Sequence, residues 1–243
     1  MLAHGRRALA TFRSSGVPAL GVAVLALACL GGASWIAHVE RAVHVPGRAG
    51  DRRDMARSVL RVPHALAPIV LDGDNDDPGW LAAPGPARTG PFVSASGGAA
   101  RPYSDARLLW GDGHLYLLLY AADEDVRSQR DAFRLTFSRA EATYALAVSA
   151  DGALHDEARD ANGRIDASWR SGAHVSREID GTLDDPRDTD EEWSLEMALP
   201  LASLGMKSEP GERVGFAIER CEAPEQGGRW DGDGRERGQL VLE

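Results

Sequence analysis

Two acidic stretches contain the residues best suited to chemistry, and the first, DGDNDD, spans residues 72–77. Carboxylate oxygens at alternating positions are ligands that Ca²⁺ takes in proteins. The candidate calcium ligands are Asp72, Asp74 and Asp76. An EF-hand is excluded, because its loop needs glycine at the sixth position and glutamate at the twelfth, where this chain has Asp77 and Ala83. The alternative for the same residues is a loop of Asx-turns that holds no metal.

The second acidic stretch, residues 184–192, leads directly into the sequence WSLEMAL. Strict alternation puts four large apolar residues on one face of that segment: Trp193, Leu195, Met197 and Leu199. The pattern predicts a half-buried strand, and the acids before it are then a solvated loop. Glycoside cleavage needs two carboxyls across a cleft, but context distinguishes no such pair here. Gly-x-Ser-x-Gly, His-Glu-x-x-His and phosphate-loop motifs do not occur, so we predict a non-catalytic protein.

Tryptophans are the second kind of candidate, because a large aromatic side chain that the core does not take up can serve as a ligand platform. Trp230 lies in GGRWDGDGRERGQL, which has few apolar neighbours, and it is the first candidate for a ligand platform. The alternative is a side chain folded back onto the protein. Trp169 ends RIDASW and is the second candidate. Three further tryptophans lie in or beside apolar segments and are predicted to be core residues: Trp80, Trp110 and Trp193.

The charge of the chain is divided by region. Nine of the 27 basic and three of the 37 acidic residues precede residue 64, which leaves 18 against 34 and a net charge of −16 for residues 64–243. Such a region does not bind nucleic acid by neutralising phosphates. The two cysteines, Cys29 and Cys221, are far apart and predict no disulfide within the acidic region, and no zinc-ligand spacing occurs.

Residues 1–39 have the features of an export signal. Three arginines at positions 6, 7 and 13 precede an uncharged run, Gly16 to Ala37, which is long enough to cross a bilayer as a helix. This segment is either an uncleaved signal anchor or a signal peptide that is removed. Small residues before Cys29 permit cleavage, and LALAC loosely resembles a bacterial lipobox, so a lipid on Cys29 is a further alternative.

Arginines that follow the run favour retention inside the cell, whereas the short N-terminal head and the signal-like core favour export. We predict export. The domain then faces the periplasm from the inner membrane, or it is secreted or lipid-anchored if the signal is cleaved. Residues 40–66 are rich in arginine and are predicted to be a juxtamembrane linker.

From residue 67 onward, short apolar or alternating runs are separated by turn residues. The predicted strands are 68–73, 106–110, 115–122, 132–137, 143–149, 153–160, 164–169, 173–179, 193–199, 214–221 and 239–243. Gly111-Asp112-Gly113 predicts a hairpin turn between two of them. Strands at this spacing predict an all-β sandwich, residues 67–243, preceded by the N-terminal hydrophobic helix.

These segments resemble carbohydrate-binding module family 9 across residues 68–243. Five stretches occur in the family's order: LDGDNDDPGW, ARLLWGDGHLYLLLYAADEDV, AVSADGALHDEARD, GTLDDPRDTDEEWSLEMALPLASLG and RGQLVLE. The opening Asp-Gly and tryptophan match Asp72, Gly73 and Trp80, and the hairpin matches Trp110 to Leu117. The late Trp-x-x-Glu-x-x-Ile-Pro pattern is similar to WSLEMALP, with its glutamate at residue 196.

The resemblance implies a jelly-roll-like or immunoglobulin-like sandwich, often appended to glycoside hydrolases, that binds polysaccharide or oligosaccharide ends and in some members holds calcium. Sugar-binding members place a ring between two tryptophans. Trp230 matches the second, but the first is absent from Ser128 to Arg134, and Arg134 stands in place of a glutamate. An alternative is therefore an envelope interaction domain that has lost sugar binding. Related haem-binding sandwiches suggest a third alternative, with Met197 and Lys207 as iron ligands.

Overall fold

The computed structural model describes residues 59–221, 228–231 and 238–243. The predicted signal segment, residues 1–39, and most of the predicted linker lie outside these ranges. Within the three described ranges, no helix is long and apolar enough to span a membrane.

Two β-sheets enclose one core, as the sequence predicts for a β-sandwich. The first sheet contains β1 (Val59–Val62), β5 (Ala132–Arg139), β6 (Ala142–Ser149), β7 (Leu154–Arg159), β10 (Arg213–Cys221), β11 (Arg229–Trp230) and β12 (Gln239–Leu242). The second contains β2 (Ala87–Arg88), β3 (Ser104–Gly111), β4 (His114–Ala122), β8 (His174–Asp180) and β9 (Glu192–Pro200). The strand orders are β1-β12-β10-β5-β6-β7, with β11 also on β10, and β2-β3-β4-β9-β8. Two short helices complete the described elements: α1 (Pro78–Leu81) and a 3₁₀ helix (Leu201–Leu204).

The hairpin between β3 and β4 confirms the turn predicted from Gly111-Asp112-Gly113. Gly111 pairs with His114, so the loop has two residues, Asp112 and Gly113. Both have positive φ, 48° and 80°, as a tight turn of the type favoured between antiparallel strands requires. Glycine and aspartate tolerate this left-handed region better than bulkier residues do.

The core is filled by the inward faces of both sheets. In β9 the predicted alternation is confirmed: Trp193, Leu195, Met197 and Leu199 all lie in the main hydrophobic cluster. The Trp193 ring contacts Phe133 of β5, with centroids 4.9 Å apart, and so joins the two sheets. Trp110 belongs to the same cluster, whereas Trp80 is buried in a second, smaller cluster with Leu109 and Leu118.

Strand β1 corrects the predicted domain boundary at residue 67. It pairs in parallel with β12, and its Leu60 and Val62 side chains are buried in the core. The sandwich therefore includes β1, although the sequence assigns residues 59–66 to the linker. The apolar alternation of β1 is short and lies among arginines, a composition typical of a spacer.

Two predicted strands are wrong. Residues 68–73 are irregular, because carboxylates take their backbone N–H groups: Val70 donates to Asp77 over 2.6 Å, and Asp72 and Gly73 donate to Glu196 over 2.9 Å. Residues 164–169 form only a single bridge, between Ile165 and Arg159. Side-chain carboxylates and neighbouring strands compete for the same backbone N–H groups, and here the carboxylates accept them in place of a strand partner.

Candidate functional site

The aspartates predicted to bind calcium accept backbone N–H groups of their own turn. An oxygen of Asp72 accepts the N–H of Asp74 over 3.0 Å, and an oxygen of Asp74 accepts the N–H of Asn75 over 2.5 Å. Asp76 is exposed. Within residues 59–221, 228–231 and 238–243, no three acidic, histidine or cysteine side chains converge in a way that could hold a metal ion. These hydrogen bonds are those of the Asx-turn alternative, and calcium binding at this turn stays a prediction.

The acidic turn instead covers a buried carboxylate on the outer face of the second sheet. Glu196 is fully buried, and one of its oxygens accepts the N–H groups of Asp72 and Gly73, each over 2.9 Å. Its other oxygen accepts the indole N–H of Trp80 over 2.6 Å. Burial raises the pKa of Glu196, and the three hydrogen bonds oppose that rise. This arrangement gives the glutamate of the family pattern a structural role.

The acids of residues 184–192 also serve the fold. Asp190 is buried and accepts the N–H groups of Val126 and Thr182 over 2.6 and 2.7 Å. Asp184 is exposed and accepts both the N–H and the hydroxyl of Ser128, which lowers the pKa of Asp184. The predicted solvated loop is thus partly correct: it is tied to the loop before β5, and only some of its carboxylates reach solvent.

Trp230 does not present a platform to solvent, contrary to the sequence-based expectation. Its side chain is only 2% exposed and points inward from β11, with its ring 5.8 Å from that of Phe216. A Cβ on Gly238 would lie 2.5 Å from the Trp230 ring, so this glycine is needed for the close approach. Within the described residues, the indole nitrogen has no hydrogen-bond partner. The folded-back alternative describes this residue.

Trp169 is half-buried and does not stand beside Trp230 in a common pocket. Its ring packs against Tyr144, with centroids 5.2 Å apart, and its indole N–H donates to the carbonyl of Ser203 over 2.9 Å. Trp230 packs on Phe216 instead. No aromatic pair made of the two predicted residues can therefore sandwich one sugar ring.

The two predicted haem ligands lie in different environments. Met197 is fully buried in the core, whereas the Lys207 side chain is 74% exposed and lies 3.3 Å from Glu209. Axial ligation requires both side chains to reach the two faces of one haem, and a core methionine with a solvated lysine does not provide this.

The outer face of the first sheet carries the group of side chains that best suits a polar ligand. Three side chains of β5 and two of β10 point outward, as strand alternation requires, and two more come from β11 and the residue that follows it. Together they form what we call the β5–β10 groove: Arg134, Thr136, Ser138, Ala217, Glu219, Arg229 and Asp231. Two adjacent depressions of about 130 and 260 Å³ share this floor.

Charges of alternating sign run across the groove. Arg134 lies opposite Glu219 in the β5–β10 register, and their side chains pair over 2.8 Å. Glu219 in turn lies opposite Arg229, whose guanidinium is 3.3 Å from Asp231. All four side chains are between 41% and 65% exposed, so their unused donors and acceptors remain open to a ligand.

Such a row can bind a neutral polyhydroxylated molecule. Guanidinium groups donate to hydroxyl oxygens, carboxylates accept from vicinal hydroxyls, and these charge-assisted bonds are stronger than neutral ones. Two cations balance two anions, so the groove has no net attraction for an anionic ligand. The floor of Thr136 and Ala217 is shallow and low in aromatic surface, which favours binding by hydrogen bonds over stacking.

Sequence reasoning noted Arg134 only as a departure from the family pattern and missed Glu219, Arg229 and Asp231. The alternation in FRLTF and GFAIER does place Arg134 and Glu219 on outward faces. The sequence does not give the register that sets β5 beside β10, because that pairing joins residues 85 positions apart in the chain.

The fold is that of family 9 carbohydrate-binding modules, a β-sandwich of two antiparallel-rich sheets. A family 9 module from Caldicellulosiruptor kristjanssonii, solved with cellotriose, superposes with a TM-score of 0.52 and 14% identity and covers 76% of this chain and 93% of its own. A family 9 module from the same organism, solved with glucose, superposes with a TM-score of 0.52 and 14% identity and covers 75% of this chain and 95% of its own. A protein from Bacteroides uniformis proposed to bind carbohydrate superposes with a TM-score of 0.55 and 17% identity and covers 77% of this chain and 100% of its own.

At 14–17% identity these similarities concern the fold. No family model matches the sequence, and no curated protein matches it. The function is therefore inferred from this chain's own side chains.

Proposed function

We propose that this protein is a non-catalytic carbohydrate-binding module that binds neutral oligosaccharide or polysaccharide chains through the β5–β10 groove. The observation that carries the proposal is the row Arg134–Glu219–Arg229, which crosses three neighbouring strands on an open face of the fold that family 9 modules share. The N-terminal segment, with its arginines before an uncharged run, supports display of the module at the cell envelope.

The groove predicts weak binding. It offers charge-assisted hydrogen bonds to sugar hydroxyls, but its aromatic wall residue, Phe216, is only 3% exposed. Sugar hydroxyls are already hydrogen-bonded to water, so each exchanged bond contributes only about 0.5–1.5 kcal/mol, or up to about 3 kcal/mol where a charge takes part. A few such bonds correspond to dissociation constants on the order of millimolar.

Titration of the purified full chain with glucose and with cellotriose tests the proposal. The informative variant is Arg134→Ala with Glu219→Ala, because it removes one cation and one anion and leaves the net charge unchanged. The pair is exposed, so its loss costs about 1 kcal/mol of stability or less. We expect cellotriose binding to weaken about tenfold or more.

The matched control is Arg61→Ala with Glu243→Ala, an exposed pair of the same chemistry at 3.0 Å on β1 and the C-terminal residue. It should leave the affinity unchanged. Equal affinity in the groove variant and the control would exclude the groove as the site. A wild-type chain that binds no member of a glycan array would exclude carbohydrate binding altogether.

The burial of Trp230 favours one second candidate, an envelope interaction domain that keeps the fold without sugar recognition. In that case the groove row would contact a protein of complementary charge pattern. Cross-linking of the full chain to a protein partner, together with a silent glycan array, is the result expected for this candidate.

A further inference from the structure

A cleft separate from the groove lies at the end of the sandwich where the β5–β6 turn approaches the 3₁₀ helix. Its walls are the β5–β6 turn, residues 139–142, the turn after β7, residues 160–162, and the end of the 3₁₀ helix at Leu204 and Gly205. Tyr144 of β6 lines it as well. It is an open cleft with a volume of about 510 Å³, against about 130 and 260 Å³ for the two depressions of the groove.

Three polar side chains of the cleft have unused hydrogen-bonding capacity. Within the described part of the chain, the Tyr144 hydroxyl, the Asn162 amide and the Glu141 carboxylate make no hydrogen bond or ion pair. They can offer a ligand a hydroxyl, an amide and a carboxylate around one aromatic ring. This combination of an aromatic surface with both donors and acceptors is the chemistry that a sugar ring requires.

The walls are held in place before any ligand arrives. Arg139 donates to the carbonyl of Arg213 over 2.6 Å and pairs with Glu212 over 2.5 Å. On the other side, one oxygen of Asp160 accepts the N–H groups of Asn162 and Arg164, each over 2.9 Å. Pre-ordered walls reduce the entropy that binding must spend on ordering the site.

Trp169 acts as a positioning residue behind the tyrosine. Its ring supports the Tyr144 ring at 5.2 Å, and its indole N–H is fixed by the Ser203 carbonyl beside the 3₁₀ helix. The Tyr144 ring is thereby held between the core and the cleft.

We propose that this cleft is a second sugar-binding site, which takes a neutral hexose unit against Tyr144 with Asn162 and Glu141 on its hydroxyls. The ligand class rests on the proposed carbohydrate-binding function, whereas the location does not. Arg139 is already paired with Glu212, and Glu141 and Asp160 form no ion pair with any residue that the structure describes. The cleft is therefore acidic, and it should reject uronic acids.

The test maps both sites at once by amide chemical shifts of the full chain during titration with cellotriose and, separately, with galacturonic acid. The cleft variant is the double substitution Tyr144→Phe, Asn162→Ala, which removes two polar groups and keeps the aromatic ring that packs on Trp169. Tyr116→Phe is the control, since it makes the same change at a half-buried tyrosine of β4 outside both sites. We expect cellotriose to shift residues 140–144, 160–162 and 204–205, and the variant to weaken those shifts about three- to tenfold.

Five outcomes test the two proposals. Shifts at the cleft that persist in the Arg134→Ala, Glu219→Ala variant and weaken in the cleft variant support the second site. Shifts confined to the groove overturn the second site and leave the proposed function standing. Shifts confined to the cleft support the inference and overturn the groove. The absence of shifts with cellotriose at either place overturns both, and stronger binding of galacturonic acid than of cellotriose overturns the ligand class of the cleft.

Discussion

The carboxylate of Glu196 accepts a 2.6 Å hydrogen bond from the indole nitrogen of Trp80, which lies 116 residues earlier in the chain. Both side chains are buried on the outer face of the second sheet, under the turn that begins at Asp72. The bond joins the first and the late pieces of the family pattern into one unit. It shows why an acid on a face expected to be solvated is fully buried.

Replacement of Glu196 by glutamine is expected to destabilise the protein by about 1–3 kcal/mol. Both carboxylate oxygens accept N–H groups, one from Trp80 and one from Asp72 and Gly73, so the amide nitrogen of glutamine must face a donor. Urea unfolding of the full chain measures the change. Glu191→Gln is the control, because that exposed side chain makes no hydrogen bond within the described residues.

A Trp80→Phe variant removes the donor on the other side of the same bond. If the bond matters as described, the double variant should lose less stability than the sum of the two single variants, as expected for residues in contact. Strict additivity, or a Glu196→Gln effect no larger than that of Glu191→Gln, would contradict the structural role.

The sequence predicts the elements whose pattern is local. The hairpin at Asp112 and Gly113 and the alternation in WSLEMAL are both confirmed, because turn conformation and strand facing depend on adjacent residues. Prediction from the sequence fails where the local structure depends on a residue far away in the chain. Residues 68–73 have a strand-like composition, yet Glu196 takes their N–H groups, and Trp230 has polar neighbours in sequence, yet it packs on Phe216. The groove is missed for the same reason, since its charges meet only through strand pairing.

Asp105 on β3 should make stability depend on pH in a way that its asparagine variant does not. The side chain is 2% exposed, and burial raises its pKa, against the opposing influence of Arg107 and Arg88 and a hydrogen bond from Tyr103. The folded protein therefore holds this proton at higher pH than the unfolded chain, whose aspartate has an ordinary pKa of about 3.9. The free energy of unfolding should rise as the pH falls through the raised pKa, and the gain is complete below the ordinary value.

The comparison uses the difference between wild type and Asp105→Asn in urea unfolding from pH 8 to pH 4. Other carboxyls cancel in that difference, so wild type should gain on the variant as the pH falls. Tyr120 and Glu192 lie on the neighbouring strands and share the cluster, so both stay unchanged in the experiment. Asp76→Asn, an exposed position, reports the background. A constant difference across this range would show that Asp105 is not the group responsible.

Trp230→Ala is expected to act on stability, whereas an exposed sugar platform would lose only binding. The ring is 2% exposed against Phe216 and Gly238, so its removal leaves a core cavity and should cost about 3–5 kcal/mol. Trp230→Phe keeps most of the apolar volume and removes an indole N–H that has no partner among the described residues, so it should cost clearly less. Thermal unfolding and cellotriose titration of both variants distinguish the two roles. If Trp230 were an exposed platform, Trp230→Ala would abolish binding and leave the melting temperature unchanged. If Trp230 is a core residue, Trp230→Ala lowers the melting temperature, and Trp230→Phe still binds cellotriose.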